Sequence, residues 1–234
     1  MVHDVAADGY GNVILAGTSR GEIDFGGGPC DAAGYEDIIV AKLGPGGEHI
    51  WSRCLGDAGN QEAGAVAADG PGNVFLAGAF DAVDFGAGPL PSADSVQDAY
   101  VVKLDPGGKL VWSRVFGGKG QQVAYCVALD AAGNVVVTGC FSGDIDLGDG
   151  AVSNSGAGST DAFLVKLAPD GEPLWNHVFI GWCSGSWGRP VAVDPAGSAV
   201  LAGQFSGTVD FGGGPLVSTP GDPASDICVA RFAP

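Results

Sequence analysis

The chain has 234 residues, room for one or two ordinary domains, and its 27 acidic against 10 basic residues leave a formal charge of −17. That charge repels phosphate backbones and anionic membrane surfaces, which argues against nucleic acid as a partner. With 42 Gly, 14 Pro, no helix-period run and no stretch near the roughly 18 apolar residues of a membrane helix, the sequence reads as short strands joined by turns, without membrane insertion.

Met1 leads directly into patterned sequence, without a basic region and an apolar run behind it, so either export is absent or its signal lies elsewhere. The first element is the turn string Asp8-Gly-Tyr-Gly-Asn12. It returns at Asp69, at Asp130 and, altered, as Asp194-Pro-Ala-Gly-Ser198, at spacings of 61, 61 and 64 residues. In the same register follow Ala16-Gly17, Ala77-Gly78, Thr138-Gly139 and Ala202-Gly203. Next come Ile23-Asp24-Phe25, Val83-Asp84-Phe85, Ile145-Asp146-Leu147 and Val209-Asp210-Phe211. Asp37, Asp98, Asp161 and Asp226 then open apolar runs, each holding one base: Lys42, Lys103, Lys166 or Arg231. Trp51, Trp112 and Trp175 close the pattern.

Within one copy, the apolar runs 64–68 and 74–80 flank Asp69-Gly-Pro-Gly-Asn73 and read as a hairpin of strands A and B. Runs 99–104 and 109–116 flank Asp105-Pro-Gly-Gly and read as a hairpin of strands C and D. Four antiparallel strands form one sheet, and no copy buries both faces alone, so the copies must stack. Strand A is rich in Ala (Ala6, Ala7, Ala67, Ala68, Ala128, Ala192) whereas strand D carries Trp, Arg and Phe. Small residues suit a crowded axis and bulky ones a wide rim. The expected architecture is therefore an all-β, four-bladed β-propeller with blades near 1–62, 63–122, 123–189 and 190–234.

Two segments carry a likeness to a known family: Ala124-Tyr-Cys-Val-Ala-Leu-Asp-Ala-Ala-Gly-Asn-Val-Val-Val-Thr-Gly139 and Asp161-Ala-Phe-Leu-Val-Lys-Leu-Ala-Pro-Asp-Gly-Glu-Pro-Leu-Trp175. With their counterparts they make nearly the whole chain resemble the bacterial β-propeller repeat family, also called the seven-bladed β-propeller repeat. The resemblance implies the fold and a setting in large secreted or surface proteins, and brings no shared catalytic residues.

The fourth copy stops after its strand C, and no strand-D segment precedes Val2. The ring is expected either to close with a three-stranded blade or to stay open; two such chains could assemble into one larger ring, or the chain is a piece of a longer parent. An exposed edge is a template for pairing with a second copy.

The long B–C segments (19–36, 81–97, 142–160 and 206–225) and the D–A connections build one end of the scaffold, the candidate binding surface. Asp24, Asp84, Asp146 and Asp210 could pair with Asp37, Asp98, Asp161 and Asp226 around a Ca²⁺ ion in each blade. The simpler reading is that each Asp caps backbone N–H groups of its own turn. Trp182, Trp187 and Arg189, in the irregular segment entering the fourth copy, are candidates to stack on a sugar or to anchor a protein partner. Alternatively, the two Trp fill a packing gap. Trp51, Trp112 and Trp175 recur once per copy and belong to packing between blades.

By repeat alignment Cys30 takes the place of Leu90 and Leu216, and Cys54 that of Val115 and Val178. The cysteines therefore read as buried small hydrophobes and not as a disulfide framework. Cys126 is expected to face Thr138 across its hairpin, only diagonal to Cys140. His49 and His177 fall near the rim and His3 near the entry to strand A, with no Ser or Cys partner. Gly17-Thr-Ser-Arg-Gly21 fits a nucleophile-elbow pattern but follows a strand without the required helix.

These readings favour a noncatalytic, extracellular or surface module that binds a protein or glycan partner. The alternatives are a structural repeat that assembles by edge pairing into a ring or oligomer, and a cryptic hydrolase or lyase with an axial acidic site.

Overall fold

Asp8 accepts hydrogen bonds from the backbone N–H groups of Tyr10 and Asn12, while its own N–H donates to Asn12 O at 3.1 Å. This closes a tight turn between β1 (Val2–Ala7) and β2 (Val13–Ser19). Asp69, Asp130 and Asp194 close the later turns in the same way. The structure, a computed structural model, describes residues 1–30, 35–56, 59–92, 96–154, 160–180, 190–205, 207–219 and 226–234.

After β2 come β3 (Ile23–Asp24), β4 (Pro29–Cys30), β5 (Asp37–Leu43) and β6 (His49–Leu55). The next group is β7 (Gln61–Ala68), β8 (Val74–Phe80), β9 (Ala82–Asp84), β10 (Pro89–Pro91), β11 (Asp98–Leu104) and β12 (Leu110–Phe116). Then follow β13 (Gln122–Leu129), β14 (Val135–Phe141), β15 (Asp144–Asp146), β16 (Ala151–Ser153), β17 (Asp161–Leu167) and β18 (Pro173–Phe179). The last are β19 (Val191–Val193), β20 (Ala199–Phe205), β21 (Thr208–Asp210), β22 (Pro215–Val217) and β23 (Asp226–Phe232).

Among the described residues the fold is all-β: three four-stranded antiparallel sheets, one three-stranded sheet and four two-stranded ribbons. Sheet one is β1-β2-β5-β6, sheet two β7-β8-β11-β12, sheet three β13-β14-β17-β18 and sheet four β19-β20-β23. The ribbons β3-β4, β9-β10, β15-β16 and β21-β22 lie inside the B–C segments. Sequence reading treats these segments as loops because two- or three-residue strands leave no usable period.

Strand alternation gives each sheet a front and a back face. Ile14, Ala16, Ile38, Val40 and Trp51 on the front of sheet one pack on Val66, Leu76, Tyr100 and Val102 on the back of sheet two. Phe75, Ala77, Val101 and Phe116 then meet Val127, Val137, Phe163 and Val165 of sheet three. Val136, Leu164 and Phe179 meet Val191, Leu201, Cys228 and Phe232 of sheet four. The core is therefore three face-to-face layers in chain order.

The sheets converge at their inner strands β1, β7, β13 and β19. A β-bulge sits in each of β1, β7 and β13. At the bulge in β7 a Cβ on Gly64 would stand 2.6 Å from Ala124 O of the next inner strand, so the approach requires glycine there. Outward the sheets spread, and a Trp fills the gap. Trp51 Nε1 donates to Pro106 O at 2.8 Å and Trp112 Nε1 to Pro169 O at 3.0 Å, each reaching the C–D turn of the following sheet. The packing role read for these residues is thus met by direct contact between sheets. Trp175 instead packs on His177 and Phe232, with ring centroids 5.4 and 6.5 Å away. Partial burial lowers the pKa of His177 below its usual value.

Candidate binding end

The starts of β1 and β7, the end of β2 and the start of β5 meet at the ribbon-bearing end of the fan. Met1, His3, Thr18, Ser19, Arg20, Glu36 and Glu62 line an open cleft there of about 620 Å³. His3 Nδ1 lies 2.7 Å from Ala63 O and so carries the proton, leaving Nε2 to accept from Thr18 Oγ1 at 3.3 Å. That pair fixes one wall. On the other, Arg20 donates through Nε and Nη2 to Glu36 Oε1 at 2.8 and 2.6 Å. Its guanidinium carbon also stands 4.8 Å from the ring centre of Tyr35, which is 64% exposed. The hydrogen bond from Arg20 to Glu36, helped by their charge attraction, raises the Arg20 pKa. The cleft thus combines an imidazole, a guanidinium, hydroxyls and carboxylates in one open concavity, and the Tyr35 ring lies next to it against Arg20.

The carboxylates proposed as Ca²⁺ ligands are placed in two different settings. Asp24, Asp84, Asp146 and Asp210 each accept from two glycine N–H groups of their own ribbon turn, as Asp24 Oδ1 does from Gly26 and Gly28 at 2.7 and 3.0 Å. Those glycines have φ near +100°, the left-handed conformation that favours glycine. This is the turn-capping geometry of the simpler reading. Asp37, Asp98 and Asp161 are buried at the heads of their strands, and Asp226 accepts from Thr219. Among the described residues no group of three or more His, Cys, Asp or Glu side chains is gathered as a metal cage. Trp182, Trp187 and Arg189 lie outside the described residues.

Beside Asp37 and Asp98 stand two glutamines that the sequence reading passed over. Gln61 N–H donates to Glu36 O of sheet one at 2.8 Å, and its Nε2 donates to Ala82 O of its own ribbon at 2.6 Å. Gln122 repeats this with Gln97 O at 2.8 Å and Asp144 O at 2.7 Å. Their common spacing of 61 residues was the available signal. These links hold the second and third ribbons against their sheets.

The cysteines correct the sequence reading. Cys30 and Cys54 form a disulfide with Cα atoms 5.9 Å apart, and Cys140 is also disulfide-bonded. Aligning each cysteine with its counterparts shows an apolar position but not that two such positions touch. Val83, Ile145 and Val209 of the later ribbons are buried between two sheets, whereas Ile23 is only half-buried. The disulfide supplies for the first ribbon the anchorage that a preceding sheet supplies for the others. Cys126 is free and pairs with Thr138 across its hairpin, as expected, and burial raises its pKa.

No protein-family model matches the chain, and no curated protein does. In structure it is similar to a protein of unknown function from Bacteroides caccae, solved in the crystal at 1.35 Å resolution. The identity is 12%, the TM-score 0.45, and the match covers 99% of this chain and 60% of that one. The chain thus spans about three fifths of that protein's length.

Proposed function

We propose that the chain is a noncatalytic, propeller-type module of four repeats that binds a neutral glycan at its ribbon-bearing end. The observation that carries this reading is the cleft lined by Arg20, Glu36, His3 and Glu62, with the exposed Tyr35 ring beside it against the Arg20 guanidinium. Sugars present an apolar ring face and paired hydroxyls. An exposed aromatic ring suits the first, and guanidinium and carboxylate groups suit the second. The net charge of −17 favours uncharged ligands over acidic ones. Glu36 is engaged by Arg20, which suits a binding wall better than a paired acid and base.

The disulfides support an extracytoplasmic setting, where such bonds persist. The test is calorimetric titration with neutral cello-, xylo-, manno- and chito-oligosaccharides. Saturable binding without cleavage of the sugar is expected. No binding across the panel, or release of shorter sugars, overturns the reading.

A further inference from the structure

The three internal interfaces all join a front face to a back face, which among the described residues leaves two faces of the fan with no sheet against them: the front of sheet four, and the back of sheet one, where Ile39 and Ala41 of β5 are buried but the inner strand β1 is not. On the front of sheet four, Ile227 is 77% and Val229 68% exposed. Their register equivalents Ile38 and Val40, Ala99 and Val101, and Ala162 and Leu164 are all at 0–1%. On the back of sheet one, Val2 is 51% and Val5 58% exposed. Their equivalents Ala63 and Ala124 are at 0%, and Val66 and Val127 at 5 and 6%.

From this we propose that the front of sheet four docks on the back of sheet one in a second copy of the chain, head to tail. The two surfaces carry the same kinds of side chain that meet at every internal interface, so the contact continues a packing mode already used within the molecule. Two copies of one uncovered face would instead set front against front or back against back, a pairing that occurs nowhere in the fold.

A polar contact fixes the register. Lys42 Nζ donates to Gly72 O in the turn of the next sheet at 2.9 Å, and Lys166 Nζ to Gly197 O at 2.9 Å. Arg231 holds the same position in sheet four. It binds Asp194 of its own turn at 2.7 Å, yet its side chain is 62% exposed against 4% and 3% for the two lysines. In the docked pair its guanidinium reaches Gly11 O, the equivalent of Gly72 O, in the second copy. The contact is heterologous, so it produces either a closed ring or a growing chain of copies. The charge of −17 on each copy opposes it and salt relieves that opposition.

Sedimentation velocity over a concentration series, from about 0.05 to about 0.5 M NaCl, reads the association directly. The wild-type chain is expected to associate, more tightly at the higher salt. Val229→Glu and Val5→Asp, both at exposed positions, are each expected to weaken self-association at least about tenfold while the circular dichroism spectrum is unchanged. Mixed together, the two variants keep one intact interface per pair and are expected to form a dimer and nothing larger. A wild-type chain that stays monomeric throughout overturns the proposal. So does association that survives both substitutions, the result expected of edge pairing, or a mixture that fails to associate. The wild-type series stands alone should a variant misfold. None of these outcomes depends on the glycan cleft.

Discussion

Lys166 Nζ stands 3.0 Å from Asp130 Oδ2 in its own sheet and donates to Gly197 O, 2.9 Å away, in the next. One buried ammonium thereby closes a turn and joins two sheets. Lys166→Met leaves the Asp130 carboxylate buried without its cation, held only by the Ala132 and Asn134 donors of its turn, and is expected to cost roughly 3 kcal/mol in urea unfolding. Lys103 departs from this pattern, with Nζ on Pro169 O at 3.3 Å near the surface. Lys103→Met should cost less than about 1 kcal/mol. Equal losses in the two variants would contradict the assignment.

The equivalent pair Lys42–Asp8 sets an acid limit. Burial of Asp8 works to raise its pKa, but hydrogen bonds from Lys42, from the Asn12 side chain and from the N–H groups of Asn12 and Tyr10 prevail and hold it at about 2, against an ordinary 3.8. Asp130 and Asp194 are lowered as well. A carboxylate whose pKa is depressed by folding stabilises fully above the unfolded value and loses that contribution as pH falls through the folded one. The urea midpoint is therefore expected to drop between about pH 4 and pH 2. Asp8→Asn should make that drop shallower; an unchanged slope would show that Asp8 is not a source of it.

Gly108 has φ +78°, and a Cβ there would meet the Trp51 ring at 2.9–3.1 Å. Gly47, at φ +87°, has nothing within 4 Å. Both substitutions to Ala carry left-handed strain of about 1 kcal/mol. Only Gly108→Ala must also displace the Trp51 ring, and a total near roughly 3 kcal/mol with altered Trp fluorescence is expected. Thermal unfolding of the two variants separates them.

Cys30 and Cys54 are 24 residues apart in sequence, and closing a loop of that size stabilises by about 3 kcal/mol. The double variant Cys30→Ala/Cys54→Ala should lose about that much in thermal unfolding. Cys30→Leu/Cys54→Val, which copies Leu90 and Val115 from the second sheet, should recover part of the loss. A double Ala variant as stable as the parent would show that the ribbon needs no anchor.

The period of Asp8, Asp69, Asp130 and Asp194 made strands, turns and sheet order legible, because each marker reports a local backbone demand that one side chain meets. The stacking was legible from the Ala-rich inner and Trp-bearing outer strands. The cleft was not. Arg20, Glu36 and Glu62 recur nowhere in the pattern, and only the turn of β1 against β7 brings them together. The disulfide was hidden for a related reason: Cys30 and Cys54 each look like an apolar substitution until the ribbon is folded onto its sheet. Trp182, Trp187 and Arg189 remain candidates from sequence alone.

Recognition at the ribbon-bearing end is tested most directly by calorimetry of three variants against the oligosaccharide panel. Arg20→Ala alters the cleft lining and Tyr35→Ala removes the ring that packs on Arg20 beside it, whereas Lys109→Ala lies at the opposite, turn-bearing end. If the cleft takes the sugar, the first two lose at least about tenfold in affinity and the third binds as the parent does. Binding that survives both cleft substitutions, or that is lost with Lys109→Ala, would contradict the proposed site.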